Sequence, residues 1–217
     1  MDTKLSLAEE LLLLALNDEK GTVLMRASTA LPYGLAGALL IELAGAGLVR
    51  LEGKVLVAEA RGSARDGLLD GILEKVRASK KPRTIGHWVT KLGFAGGKLK
   101  RELLDRLVAK RVLGRDEGRV LWIFPTARYP QTDGRPEYAI RERIRSALRG
   151  MSRPDERTAA LISLAQPCDL IGMLFEKGER RDAAKRAKEI TKSHPIGGAV
   201  AKAIEAVKAA VIAAAGS

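Results

Sequence analysis

Between Lys75 and Arg111 the chain carries 12 basic residues against 2 acidic ones, a local charge of +10 out of a formal +12 for all 217 residues. Ammonium and guanidinium groups at that density hold anionic oxygen, above all phosphate, because each brings a full charge and several N–H donors. The partners this chemistry points to are polyanions, whether phospholipid head groups or nucleic acid. A different chemistry follows directly in "GRVLWIFPTARYP", where Leu121, Trp122, Ile123 and Phe124 stand in a row in a chain with only eight aromatic residues (Phe 3, Trp 2, Tyr 3). Successive side chains of a strand point to opposite faces, so four consecutive apolar residues make both faces apolar. Membrane lipid, the protein's own interior or a second copy of the chain must cover the second face.

Residues that would make bonds or hold metals are sparse. His87 and His194 lie far apart, and neither has the carboxylate or cysteine spacing of a metal site. Cys168, the single cysteine, reads as a small core residue beside Pro167. "GFAGGK" has too few residues between its glycines for a phosphate loop, and Leu99 follows Lys98 where serine or threonine belongs. It reads as a hinge. Glu9, Glu10, Asp116, Glu117 and Glu137 look exposed, with no visible reason for a raised pKa. No enzymatic activity, cofactor or metal is expected.

The elements that must position these groups are mainly helical. "SLAEELLLLALN" opens with Ser6 and Glu9 at capping-box spacing and has leucines on most of its surface. Pro32 suits the first turn of a second helix, "YGLAGALLIELA", whose small residues allow another helix to come close. "GLVRLEGKVLVAEA" predicts two short strands joined around Glu52 and Gly53. "DGLLDGILEKVRAS" and "TIGHWVTKLG" have helical apolar rhythm, and "KLKRELLDRLVAKRVL" turns Leu99, Leu103 and Leu107 inward, with Lys98, Arg101 and Arg106 on its other sides. A hairpin is expected next, with Val112 to Arg115 paired to the apolar run through the turn "RDEG". Helices resume beyond Pro136, divided or kinked at Pro167 and separated around Pro195, Gly197 and Gly198. The expected fold is mainly α: one compact multi-helix domain over residues 1–217, with small β-hairpins, one of them projecting. Lys202, Glu205 and Lys208 interrupt the most apolar helix at three-residue spacing, so no membrane span is expected.

The succession of "LSLAEELLLLALNDEKG", "GLAGALLIELA", "GLLDGILEKVR", "LVAKRVLGRDEGRVLWIF" and "ERTAALISLAQPCDLIGMLF" resembles the Golgi phosphoprotein 3 family in its prokaryotic form, over about Leu5 to Ala214. The resemblance implies a peripheral membrane protein. Eukaryotic members bind phosphatidylinositol 4-phosphate and recruit glycosyltransferases. A tryptophan after the first helix, an arginine in the second, and two arginines entering the helix before the hairpin hold the phosphate there. In this chain those positions fall at about Arg26 or Ala27, at Ala36, and at about Gly97 and Lys100. Arg26, Lys98, Lys100 and Arg101 are therefore the candidate head-group residues. They would form a basic pocket suited to anionic lipid in general more than to a 4-phosphate, because lysine is a point charge and not a planar two-pronged donor.

These readings together predict a cytoplasmic protein at a membrane surface. Its basic patch would meet phosphoinositide or other anionic head groups, and Leu121, Trp122, Ile123 and Phe124 would touch the membrane or form a homo-oligomer. A membrane-protein client is a further expected partner. The alternative is a winged-helix nucleic-acid binder, since a helix followed by a two-stranded wing occurs twice. In that reading "KLKRELLDRLVAKR" would enter the groove, although Glu102 and Asp105 interleave its cations.

Overall fold

The computed structural model describes residues 4–17, 20–120 and 124–215. Its first helix, α1 (Leu7–Leu14), starts as its capping box requires: the Glu9 amide donates to Ser6 Oγ at 3.1 Å, and the Ser6 amide donates to Glu9 Oε2 at 2.6 Å. All eight of its residues are buried. The 3-10 turn Met25–Ala27 leads into α2 (Leu31–Gly45), with Pro32 in its first turn. Helix α2 is the axis of the molecule, apolar on all sides and packed by several other helices. A Cβ on Gly37 would lie 2.3 Å from Val200 Cγ1, and one on Gly34 would lie 2.8 Å from Cys168 Sγ. Those glycines let their neighbours approach the α2 backbone.

β1 (Val49–Glu52) and β2 (Val55–Ala58) pair antiparallel as the sequence suggests, and a strand the sequence did not announce, β3 (Arg83–Thr84), extends them to a three-stranded sheet. α3 (Gly67–Arg77) lies between β2 and β3 in the chain and is capped by Asp66, whose Oδ1 accepts from the amides of Leu68 and Leu69. Ala95 alone separates α4 (Ile85–Phe94) from α5 (Gly96–Ala109). The glycines at this junction do not serve as the expected hinge: a Cβ on Gly96 would sit 2.5 Å from Pro32 Cβ, so the position is a close contact between α5 and α2.

The second hairpin has a register other than the expected one. β4 (Asp116–Val120) pairs with β5 (Phe124–Arg128) from Asp116↔Arg128 to Val120↔Phe124. "RDEG" therefore belongs to the entry and body of a strand and not to a turn. Gly114 instead donates to the carbonyl of Pro130 at 2.8 Å, and an isolated bridge joins Leu113 to Gln131, which sets the pairing one stretch later. Leu121, Trp122 and Ile123 lie outside the described residues, as does the side chain of Phe124.

The rest of the chain is helical: α6 (Arg135–Arg149), α7 (Glu156–Ala165), a 3-10 turn (Ile171–Leu174), α8 (Arg180–Ser193) and α9 (Pro195–Ala215). Pro167 divides rather than kinks, because α7 has ended at Ala165. Cys168 is fully buried, and burial pushes its thiol up to about 12, as befits a core residue. The fold is mainly helical, as expected, with apolar core residues running from Leu5 to Ile204. No helix among the described residues is long and apolar enough to cross a membrane.

Three carboxylates that look exposed in the sequence are buried. Glu9 takes Lys110 Nζ at 2.6 Å, Glu10 takes Arg143 and Arg157 at 2.7 and 3.0 Å, and Glu137 takes Arg141 and the Gln131 amide. They sit on helix faces that the sequence pattern marks as wet, but each meets a cation from another turn or another helix. Such pairing makes their burial affordable.

Candidate functional site

The basic segment splits into cations that the fold consumes and cations that it leaves free. Arg77 bonds Glu74 and the carbonyls of Glu59 and Gly62. Arg106 holds Asp66 through both of its terminal nitrogens, at 2.6 and 3.1 Å, and keeps that carboxyl below its ordinary pKa. Lys110 is committed to Glu9. Lys98, Lys100 and Arg101 form no ion pair among the described residues, and all three stand in the first two turns of α5.

A cleft of about 140 Å³ opens where that end of α5 meets the entrance of α2. Val23, Ser28, Leu31, Pro32 and Leu35 form one wall, and Gly96, Gly97 and Lys100 form the other. Gly96 keeps the walls together through its contact with Pro32, while a Cβ on Gly97 would touch nothing and leaves the space in front of the helix end open. Ala95, which precedes α5, offers no side-chain cap, so the helix presents its uncapped positive end here. One flexible ammonium and a helix N-terminus can together receive a phosphate or carboxylate oxygen; the Ser28 hydroxyl already donates to the Met25 carbonyl at 2.7 Å.

The four candidate cations do not share this cleft. Lys100 lines it, half-buried, two residues and so about 200° around the helix from Lys98. Lys98 is exposed on the other side of α5, Arg101 is exposed about 100° around the helix from Lys100 and does not line the cleft, and Arg26 is exposed on the 3-10 turn beside the lining residues Val23 and Ser28. Of the positions marked by the family resemblance, Gly97 and Lys100 come together in the cleft. Ala36 is fully buried in α2 and Ala27 is fully buried beneath the 3-10 turn, so neither can present a side chain to a ligand.

Two exposed apolar residues that the sequence pattern does not single out stand close in the chain to residues that line the cleft. Met25 is 88% exposed, between Val23 and Ser28, and Phe94 is 82% exposed, two residues before Gly96. Large apolar side chains this bare are the signal to look for. In the sequence each looks like the apolar end of a regular element, and only the packing shows that nothing covers it. The hairpin's base belongs to the same region: the Tyr129 amide donates to the Gly21 carbonyl at 3.1 Å. Gly21 has φ +58°, and a Cβ there would lie 2.3 Å from the Tyr129 carbonyl carbon, so the position needs glycine. The loop that carries Val23 and Met25 is thus stitched to the end of β5.

The winged-helix comparison loses ground at this site. Leu99, Leu103 and Leu107 are buried, Arg106 and Lys110 are committed to carboxylates, and only the first turns of α5 keep free cations. A helix lying in a groove needs them along its length.

The family model for Golgi phosphoprotein 3 (GPP34) matches residues 7–207, from the first residue of α1 well into α9. A match over that span, on a mainly helical fold with a paired hairpin after α5, means that the chain belongs to the Golgi phosphoprotein 3 family.

Proposed function

We propose that the protein attaches reversibly to anionic membrane surfaces, with a lipid phosphate held at the N-terminus of α5 by Lys100. The observation that carries this reading is the cleft together with exposed Met25 and Phe94, each two residues along the chain from a residue that lines it. An anion site bordered by uncovered apolar side chains matches a lipid interface, which is anionic at the head groups and apolar just beneath. Partial burial of Met25 and Phe94 contributes up to about 1.5–3 kcal/mol each, and each nearby Lys or Arg adds about 1 kcal/mol on an anionic leaflet. Either contribution alone is weak, but together they give reversible attachment. Arg26, Lys98 and Arg101 add charge around the cleft without touching the bound group. Leu121, Trp122, Ile123 and Phe124 remain the proposed second contact, for membrane or for another copy of the chain. A single lysine in the cleft favours recognition of phosphate charge over a particular phosphoinositide.

Sedimentation with vesicles tests this. Vesicles containing phosphatidylglycerol should pull down the wild type, and pure phosphatidylcholine vesicles should not. Met25→Ser with Phe94→Ser should lower the bound fraction at least tenfold without changing the melting temperature. Equal binding to neutral and anionic vesicles would defeat the proposal. Steep salt-sensitive binding to duplex DNA with no vesicle binding would transfer it to the nucleic-acid reading.

A further inference from the structure

A second and larger cleft, of about 800 Å³, lies at the other end of α4. The first cleft follows the C-terminus of α4 and this one is built on its N-terminus, Ile85 and Gly86, so the length of a ten-residue helix, about 15 Å, separates them. Three features of this cleft converge on one kind of ligand.

The first is charge. Lys54 from the turn between β1 and β2, Lys188 and Lys192 from successive turns of α8, and Lys202 from α9 all line the cleft. All four are exposed, and none has an ion-pair partner among the described residues. Glu205 is the one carboxylate in the lining. Four ammonium groups from three parts of the fold repel one another unless an anion sits among them. Lys80, Lys81 and Arg83, in the loop and strand just before α4, add to the same field.

The second feature is an unused donor. His194 lines the cleft and is 8% exposed. Its Nδ1 accepts from the Gly197 amide at 2.9 Å, which places the proton of the neutral ring on Nε2. Nε2 is itself closed to solvent and has no hydrogen-bond partner among the described residues, a costly state for a buried donor. The first turns of α4 and α9 both contribute to the lining, so two positive helix ends add to the lysines.

The third is an apolar floor. Ile85, Pro195, Ala199 and Ala203 supply it, and α4 and α9 come close enough that a Cβ on Gly86 would touch Ala203 Cβ at 3.7 Å. A bare inorganic ion would leave most of a cavity this size unfilled, whereas 300–1,000 Å³ is the range that encloses a drug-sized molecule.

We infer that the cleft between α4, α8 and α9 binds a phosphate monoester carried on an apolar body, its phosphate among Lys54, Lys188, Lys192 and Lys202 and its apolar part on Ile85, Pro195, Ala199 and Ala203. A dianionic group with several acceptor oxygens suits four ammonium groups better than a monoanionic carboxylate does. This site is independent of lipid attachment at Lys100.

Titration calorimetry of the full chain in phosphate-free buffer tests the inference with three probes: 1-naphthyl phosphate, dioctanoyl phosphatidic acid below its micelle concentration, and inorganic phosphate. At least one organic phosphate should bind saturably, at least tenfold tighter than inorganic phosphate. The tighter of the two tells whether the natural ligand is a soluble metabolite or a single lipid. Lys188→Ala with Lys192→Ala, and separately Lys54→Ala with Lys202→Ala, should each weaken that binding at least tenfold; these side chains are exposed, so the fold tolerates their loss. In Lys100→Glu, which removes the phosphate site at the start of α5, binding at this cleft should persist with one-to-one stoichiometry. No saturable binding of either organic phosphate, equal affinity for inorganic phosphate, indifference to both lysine pairs, or loss of binding in Lys100→Glu would each overturn the assignment.

Discussion

At the scale of the residue, position on the helix separates Lys100 from Lys98 and Arg101. All three are free cations at the same helix end, but only Lys100 lines the cleft, beside Gly96 and Gly97. Lys100→Ala should therefore weaken binding to anionic vesicles at least tenfold. Lys98→Ala and Arg101→Ala should each cost no more than one charge near the surface is worth, about 1 kcal/mol, which is close to fivefold. Sedimentation at fixed lipid reads the difference. The glycines allow an equally local prediction. Gly96→Ala puts a methyl group 2.5 Å from Pro32 Cβ and should destabilise by about 1–3 kcal/mol, seen as a lower melting temperature. Gly97→Ala meets nothing and should instead stabilise by about 0.4–1 kcal/mol, seen as a slightly higher melting temperature.

Among the elements, α9 is the one whose start depends on pH. His194 accepts the Gly197 amide on Nδ1 and is held neutral by burial, its pKa lowered from 6.5 mainly by desolvation. A folded pKa below the unfolded one means that the unfolded chain binds the proton more readily. The stability this provides is full above about pH 6.5 and is lost as pH falls through the folded value. His194→Asn keeps an acceptor at the cap and cannot take up a proton. Its denaturation midpoint should stay flatter between pH 7 and pH 5 than that of the wild type. At the start of α3, Asp66 works by the same linkage but in a lower range. Arg106 first, with the amides of Leu69 and Leu68, holds its pKa below 3.8, so its contribution is present above the ordinary aspartate range and disappears in strong acid. Elements of this kind were legible in the sequence wherever local chemistry sets them: the Ser6–Glu9 box, Pro32 in the first turn of α2, and the Glu52–Gly53 turn. The second hairpin was misjudged because "RDEG" has turn composition, whereas its register follows tertiary bonds from Gly114 to Pro130 and from Tyr129 to Gly21.

For the whole molecule, buried ion pairs tie the N-terminal helix to the rest. Glu10 is held by Arg143 of α6 and Arg157 of α7, and Glu9 by Lys110 after α5, so α1 is bonded to three distant parts of the chain. Arg143→Met with Arg157→Met leaves Glu10 buried and unpaired, and should cost about 3–5 kcal/mol in urea denaturation. Either single change leaves one arginine in place and should cost much less. These pairs were not visible in the sequence, because partners up to 147 residues apart meet only when the helices pack. The same holds for the candidate site. The sequence located the charge and the resemblance pointed to Gly97 and Lys100, but the bare Met25 and Phe94, and the sorting of cations into bound and free, are products of packing. The central claim is that phosphate is received at the start of α5. Amide chemical-shift mapping of the isotope-labelled protein with dihexanoyl phosphatidylglycerol tests it most directly. The largest shifts should fall on Gly96, Gly97, Lys100 and Ser28 and vanish in Lys100→Glu; saturable shifts confined to other parts of the molecule, or none at all, would contradict it.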